Sequence, residues 1–228
     1  MDELNNNITN QGFCLEVWGD YACFTRPEFK VERVSYEVIT PSAARAIFEA
    51  IFWKPAIKWI ITKIEVLNPI TWTNIRRNEV GALASKSPIY IEDKRQQKNA
   101  LILKNVRYRI WATMKYIPVE QRDNNNTTDG SHESAGKYLA MFERRASKGQ
   151  YFHQPYLGCR EFAANFRLID YRNSTLTPPI QESKDMQYML YDMDFEKNNE
   201  KPAPIYFKAM MEHGVINVPS PQSNQLLK

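Results

Sequence analysis

The chain is poor in the residues on which most metal and redox chemistry depends. Its 228 residues include three cysteines and three histidines. Cys14, Cys23 and Cys159 lie in apolar or strand-like surroundings without CxxC spacing or histidines at ligand spacing, so the expectation is free buried thiols rather than structural zinc. No run of about 18 apolar residues exists to span a bilayer. The start, MDELNNNITNQG, is polar and acidic, unlike a secretory or transit peptide, and a cytoplasmic protein is expected. Walker A, GxSxG, HExxH and GxGxxG patterns are all absent, which argues against NTPases, serine hydrolases, zincins and Rossmann enzymes. A large charge imbalance is missing too: 30 basic against 26 acidic residues give a net charge of +4.

What is present is a distribution. Between Lys137 and Arg172 seven basic residues face three acidic ones, and from Lys104 to Lys115 four basic residues meet no acid. A basic stripe of this kind can track phosphates, although a solvated face is at least as common for any one cluster.

Periodicity supplies the elements. FCLEVWGDYACF (13–24) alternates as a strand, with Phe13, Leu15 and Val17 on one face. Thr40-Pro41 is an N-cap followed by proline at the first helical position. Ala43, Ile47, Ala50 and Ile51 then form an apolar helix face, Phe48 and Phe52 its shoulder, Arg45 and Glu49 its wet side, and Lys54-Pro55 its stop. IKWIITKIEVL (57–67) is a second strand. NVRYRIWATMKYI (105–117) is a third, with Val106, Tyr108, Ile110, Ala112 and Met114 facing one way and Arg107, Arg109 and Trp111 the other. EQRDNNNTTDGSHES buries too little apolar surface to order itself. Lys137 to Lys148 reads as a helix ended by Gly149, and CREFAANFRLIDY (159–171) as a fourth strand.

The order β-α-β-β-α-β predicts an α+β, ferredoxin-like, RRM-type domain over 1–171. MQYMLYDMDF and APIYFKAMMEHGVINV predict a small antiparallel β-rich appendage over 172–228.

Four stretches resemble a known family: GDYACFTRPEFKVERVSYEVITPSAARAIFEAIFWKP, WTNIRRNEV, GKYLAMFERRASKGQYFHQPYLGCREF and MLYDMDF. Together they resemble the Cas5 family of CRISPR-associated RAMP proteins, in its subtype I-C (d) form. The resemblance implies an endoribonuclease that cuts CRISPR repeat RNA (pre-crRNA) without metal or cofactor. It also implies retention on the five-prime handle of the crRNA inside Cascade, beside a backbone and a large subunit, with target DNA met indirectly and no membrane. Other subtypes keep handle binding without cutting, so a non-catalytic RNA-capping subunit is the alternative.

Metal-free cleavage uses the substrate 2′-OH as nucleophile and needs proton transfer plus a cation for charge building on phosphorus. The resemblance implies a catalytic Tyr late in the first helix and a Lys-His pair opening the second. Lys137 matches the lysine. Tyr138 stands where the His is expected and Phe52 where the Tyr is. Tyr138 also falls on the apolar stripe, so proton transfer and core packing are both open to it. Tyr36 is a candidate substitute hydroxyl. His153, after the basic helix, is a candidate proton shuttle; His132 and His213 are not. For binding, Arg76 and Arg77 in IRRNE, after Trp72, resemble the family's handle-contacting loop and are expected to fork onto phosphates. Arg45, Lys54, Lys58 and Arg160 are further phosphate candidates, and Arg107 and Arg109 suit an RNA-facing sheet. Asp192 and Asp194 share a strand face but lack a third metal ligand. Trp18, Trp53 and the Met-rich IYFKAMMEHG hairpin are candidate subunit contacts, with core packing favoured for Trp53.

Overall fold

A computed structural model describes residues 8–29, 31–122, 133–172, 175–195, 197 and 200–228. Its elements, in order, are β1 (Ile8–Ala22), α1 (Pro41–Ile51), β2 (Ile57–Val66), β3 (Trp72–Val80), α2 (Ile91–Lys94) and β4 (Arg95–Tyr116). There follow α3 (Ala135–Ser147), β5 (Asn165–Leu168), β6 (Lys184–Asp194), β7 (Ala203–Glu212), β8 (Val215–Asn217) and β9 (Leu226–Leu227). The result is a mixed α/β protein with one large antiparallel sheet and few helices. Strand order is β5-β1-β4-β2-β8-β7-β6, with β3 paired to β4 and β9 to β7.

β1 and β4 lie side by side because their apolar alternations match in register: Leu15 opposes Ile110 and Val17 opposes Tyr108. Val106, Tyr108, Ile110, Ala112 and Met114 are buried, as the alternation predicts. Both helices cover this face. α1 begins where Thr40 Oγ1 accepts from the Ala43 N–H at 3.3 Å, with Pro41 already helical. Its buried stripe is Ala44, Ile47, Phe48 and Ile51, one position round from the expected face, leaving Ala43 and Ala50 half-buried. α3 is capped by Ser134 and packs Tyr138, Phe142 and Ala146 inward. Phe142 stacks on Phe48 at 5.5 Å and meets Trp59 at 4.5 Å and Phe13 at 4.7 Å. This aromatic knot fixes where one helix ends and the other begins.

The strand expected over 159–171 forms only at Asn165–Leu168. Gly158, at φ +83°, bends the chain, and the Phe162 N–H closes a turn onto the Cys159 carbonyl. The strand expected at 105–117 is longer, because β4 starts at Arg95 and its first half pairs with β3 in a two-stranded arm. Polar residues on both sides of this arm hide the period-2 signal. Downstream, β8 pairs with β2, so the C-terminal strands continue the same sheet. No helix among the described residues is long and apolar enough to cross a membrane.

Candidate nucleic-acid interface

A helix leaves its last carbonyls without partners. At the C-terminus of α1 tertiary partners take them. The Ala50 carbonyl accepts from the Phe152 and His153 N–H groups at 2.9 and 3.1 Å. Ile51 accepts from Arg145 Nη1 at 3.3 Å, and Phe52 from Trp59 Nε1 at 3.0 Å. These bonds pin the loop after α3 against the end of α1 and leave a cavity of about 980 Å³ between them. Lys54, Arg145, His153 and Arg160 line it together with Trp53, Phe152 and Tyr156. Trp53 is 54% exposed and Phe152 73%. Exposed Trp53 corrects the expectation of core packing: it follows the last turn of α1 and turns outward while Phe52 turns in. Among the described residues no carboxylate forms an ion pair with Lys54, Arg145 or Arg160. Glu49 also lines the cavity, its carboxylate held by Arg45 at 2.6 Å; aromatic walls with cations outside any ion pair are the composition of a single-stranded nucleic-acid groove.

Phe52 is fully buried, its ring 6.1 Å from that of Tyr138 and 5.1 Å beneath the Arg145 guanidinium carbon. The two positions where the family resemblance implies Tyr and His are therefore neighbours. Lys137 opens the same helix turn, exposed, with its N–H bound to Ser134 Oγ at 3.2 Å. Open space lies above Gly136. Helical rise places Lys137 roughly 12 Å along the axis from Arg145. Tyr138 is buried, and burial together with its hydrogen bond to Glu133 pushes its phenol up to about 12. It is a neutral donor near pH 7, not a base. Glu133 in turn pairs with Arg122 at 2.6 Å; its bonds from Tyr138 and Arg122 hold its carboxyl below the usual range.

Several expected residues lie elsewhere. Adjacent strand residues face opposite sides, so Arg76 and Arg77, on β3 rather than a loop, do not fork together. Arg77 binds Glu161, whereas Arg76 is exposed beside Asn99 at 3.3 Å. Arg45 is not a solvated phosphate ligand: Nε and Nη2 grip Asp192 at 3.0 and 2.9 Å, and Nη1 holds Glu49 at 2.6 Å. That clasp also accounts for Asp192, while Asp194 caps the Lys197 N–H. Arg109 is corrected from RNA-facing to structural. It is 3% exposed, pairs with Glu65 at 3.2 Å and donates to the Thr177 carbonyl. Trp111 is covered by Lys63 and Tyr171 and donates to Glu65 at 3.0 Å. Arg107 shares the buried Glu16 carboxylate with Arg167. Burial would raise that carboxyl, but the two guanidiniums outweigh it and hold it low. Lys58 is exposed at the start of β2.

Tyr36 is buried, its hydroxyl bound to the Leu190 backbone and raised to about 12 by burial, so it is no substitute for a hydroxyl at Phe52. His213 sits at φ +48° in the β7–β8 turn, and His132 lies outside the described residues. Cys14 and Cys23 are buried as expected, whereas Cys159 is half-exposed. No metal-ligating cluster of three or more His, Cys, Asp or Glu side chains occurs among the described residues. Arg145 and Phe152 escaped the sequence reading because their partners, Ile51 and Ala50, are far away in the chain; Arg122 and Glu133 escaped it too, although they bind each other and the nearby Ile117 and Tyr138.

Fold and groove define a class, a mixed α/β protein whose antiparallel sheet carries a cationic, aromatic-walled cleft at the helix ends. Residues 12–219 match the model of the CRISPR-associated protein family Cas5, in its Cas5d form, and the chain belongs to that family. A protein of Mannheimia succiniciproducens described as "CRISPR pre-crRNA endoribonuclease Cas5d" is 48% identical over 222 residues, covering 90% of this chain and 93% of its own. One of Thermus thermophilus with the same description is 40% identical over 230 residues, covering 94% of each. A solved structure described as "Crystal Structure of CRISPR-associated Protein" superposes with a TM-score of 0.69 at 22% identity, covering 96% of this chain and 97% of that one. This last likeness is one of fold.

Proposed function

We propose that the chain is a pre-crRNA endoribonuclease that cuts the CRISPR repeat transcript by attack of the substrate 2′-OH, and that it needs no metal for the cut. The observation that carries this reading is the activity for which both relatives, matched across nearly the whole chain, are named. The cations outside any ion pair and the exposed aromatics of the groove support it. Single-stranded RNA runs through the groove, bases against Trp53 and Phe152, phosphates on Lys54, Arg145 and Arg160. The transcript then passes the opening turn of α3, where the Lys137 ammonium faces the phosphate as charge accumulates. Tyr138, neutral and hydrogen-bonded to Glu133, donates or orients rather than deprotonates. His153, in the groove lining, moves a proton. Arg76 on the arm and Lys58 at the start of β2 extend the binding surface.

After cutting, the protein remains on the five-prime handle as a type I-C Cascade subunit in the cytoplasm, and target DNA is met only through that assembly. The backbone and large subunits are its protein partners. Exposed Tyr188 and Met210 are candidate contacts for them. A ferredoxin-like RNA-binding unit over 1–171 is supported by the order β5-β1-β4-β2 with α1 and α3 as crossovers; 172–228 then form the β-rich appendage.

A second reading, a handle-binding subunit that does not cut, is favoured by the buried phenyl ring of Phe52, which has no proton to exchange. Incubation with cognate repeat RNA in EDTA separates the two. One defined cut, lost in Lys137→Ala with binding retained, supports the nuclease. Intact RNA in a tight complex supports the cap.

A further inference from the structure

Cys23 and Cys159 are 136 positions apart in the chain yet share a small satellite core with Ala100 and Ile102. Their backbones abut. The Cys23 N–H donates to the Leu157 carbonyl at 3.0 Å. At Gly158, φ +83°, a Cβ would stand 2.0 Å from the Cys23 carbonyl oxygen, so only glycine permits the approach. The Cys159 sulfur lies 3.7 Å from that oxygen and 4.0 Å from Arg33 Nη1. Arg77 and Glu161, themselves paired, complete the charged surroundings. Cys159 is half-exposed, whereas Cys14 and Cys23 are buried.

We propose that Cys159 is a modification site for hydroperoxide-class oxidants, with Cys23 as its resolving thiol. A half-exposed sulfur beside a guanidinium, with a second sulfur packed behind it, is the arrangement of a reactive cysteine. The facing Cys23 thiol, with Arg33 and Arg77 nearby, holds Cys159 below an ordinary thiol, against the bond that the Cys159 S–H gives the Cys23 carbonyl. The facing Cys159 sulfur and burial push Cys23 up. The Cys159 thiolate attacks one peroxide oxygen; the O–O bond breaks, sulfenic acid forms, and the departing hydroxide or alkoxide takes a proton from solvent. The Cys23 sulfur then attacks that of Cys159. An S–S bond forms, and the sulfenic hydroxyl leaves with the Cys23 proton as water. One peroxide is reduced per dithiol oxidised. The pair lies beside the arm: Ala100 and Ile102 of its core belong to β4, and Arg33 reaches Glu79, near the far end of β3, at 3.9 Å.

Cys14, pushed up to about 12 by burial, is a built-in control. Folded full-length protein is treated with hydrogen peroxide, quenched with a maleimide, and mapped by non-reducing peptide mass spectrometry. A Cys23–Cys159 linked peptide is expected while Cys14 stays a thiol. In Cys23→Ser, with its melting midpoint checked, Cys159 is expected to stop at a dimedone-trappable sulfenic acid. In untreated protein, iodoacetamide at pH 7 should label Cys159 at least ~10-fold faster than Cys14. An absent linked peptide overturns the resolving role of Cys23, and equal labelling of Cys159 and Cys14 overturns the reactive site altogether.

Discussion

The open face of the sheet and the groove at the helix ends are both rich in arginine and tryptophan, yet they spend these residues differently. On the open face Arg107 and Arg167 share Glu16, Arg109 is locked to Glu65, and Trp111 lies under Lys63 and Tyr171. In the groove no ion pair involves Lys54, Arg145 or Arg160 among the described residues, and Trp53 and Phe152 are bare. A phosphate arriving on the open face must displace a carboxylate; one arriving in the groove need not. The difference teaches that a count of basic residues locates candidate surfaces, while their ion pairing decides which one has cations left to offer a phosphate.

The largest effect expected from breaking this contrast is on stability. Arg109→Ala leaves the buried Glu65 with only Lys63 and Trp111 as partners and should cost about 3 kcal/mol in denaturant unfolding, the low end for a broken buried pair. Lys137→Ala should change unfolding by less than about 1 kcal/mol and slow repeat cleavage by roughly 100–1,000-fold, the scale of losing one transition-state charge contact. Lys54→Ala and Arg160→Ala should each lower the slope of log affinity against log salt by about 0.7, while Arg107→Ala leaves that slope unchanged. The smallest effect is the pH response of Glu16. Its folded-state carboxyl titrates below the unfolded one, so its stabilisation is present above the ordinary carboxylate range and is lost as pH falls through the lowered value. Glu16→Gln should therefore flatten the acid limb of a thermal-midpoint profile below about pH 4.5.

Local chemistry was readable in the chain and long-range pairing was not. Thr40-Pro41 announced α1, and the alternation of 105–117 announced the buried face of β4, because caps and period-2 patterns are written in neighbouring residues. The β3–β4 arm stayed hidden because both of its strands are polar on both sides. The 159–162 turn stayed hidden because Gly158 works through its contact with Cys23, far away in sequence. At the site, Lys54, His153 and Arg160 were legible as basic or titratable residues near aromatics. Arg109 was misplaced because its partner Glu65 belongs to another strand, and Arg145 was overlooked because its role depends on the Ile51 carbonyl and the Phe52 ring.

Ultraviolet crosslinking of the intact protein to its cognate repeat RNA, with crosslinked peptides identified by mass spectrometry, tests the central claim most directly. The groove account predicts adducts on Trp53 and on the 151–156 loop. Adducts confined to Trp18 and Trp111 on the open sheet face would contradict it.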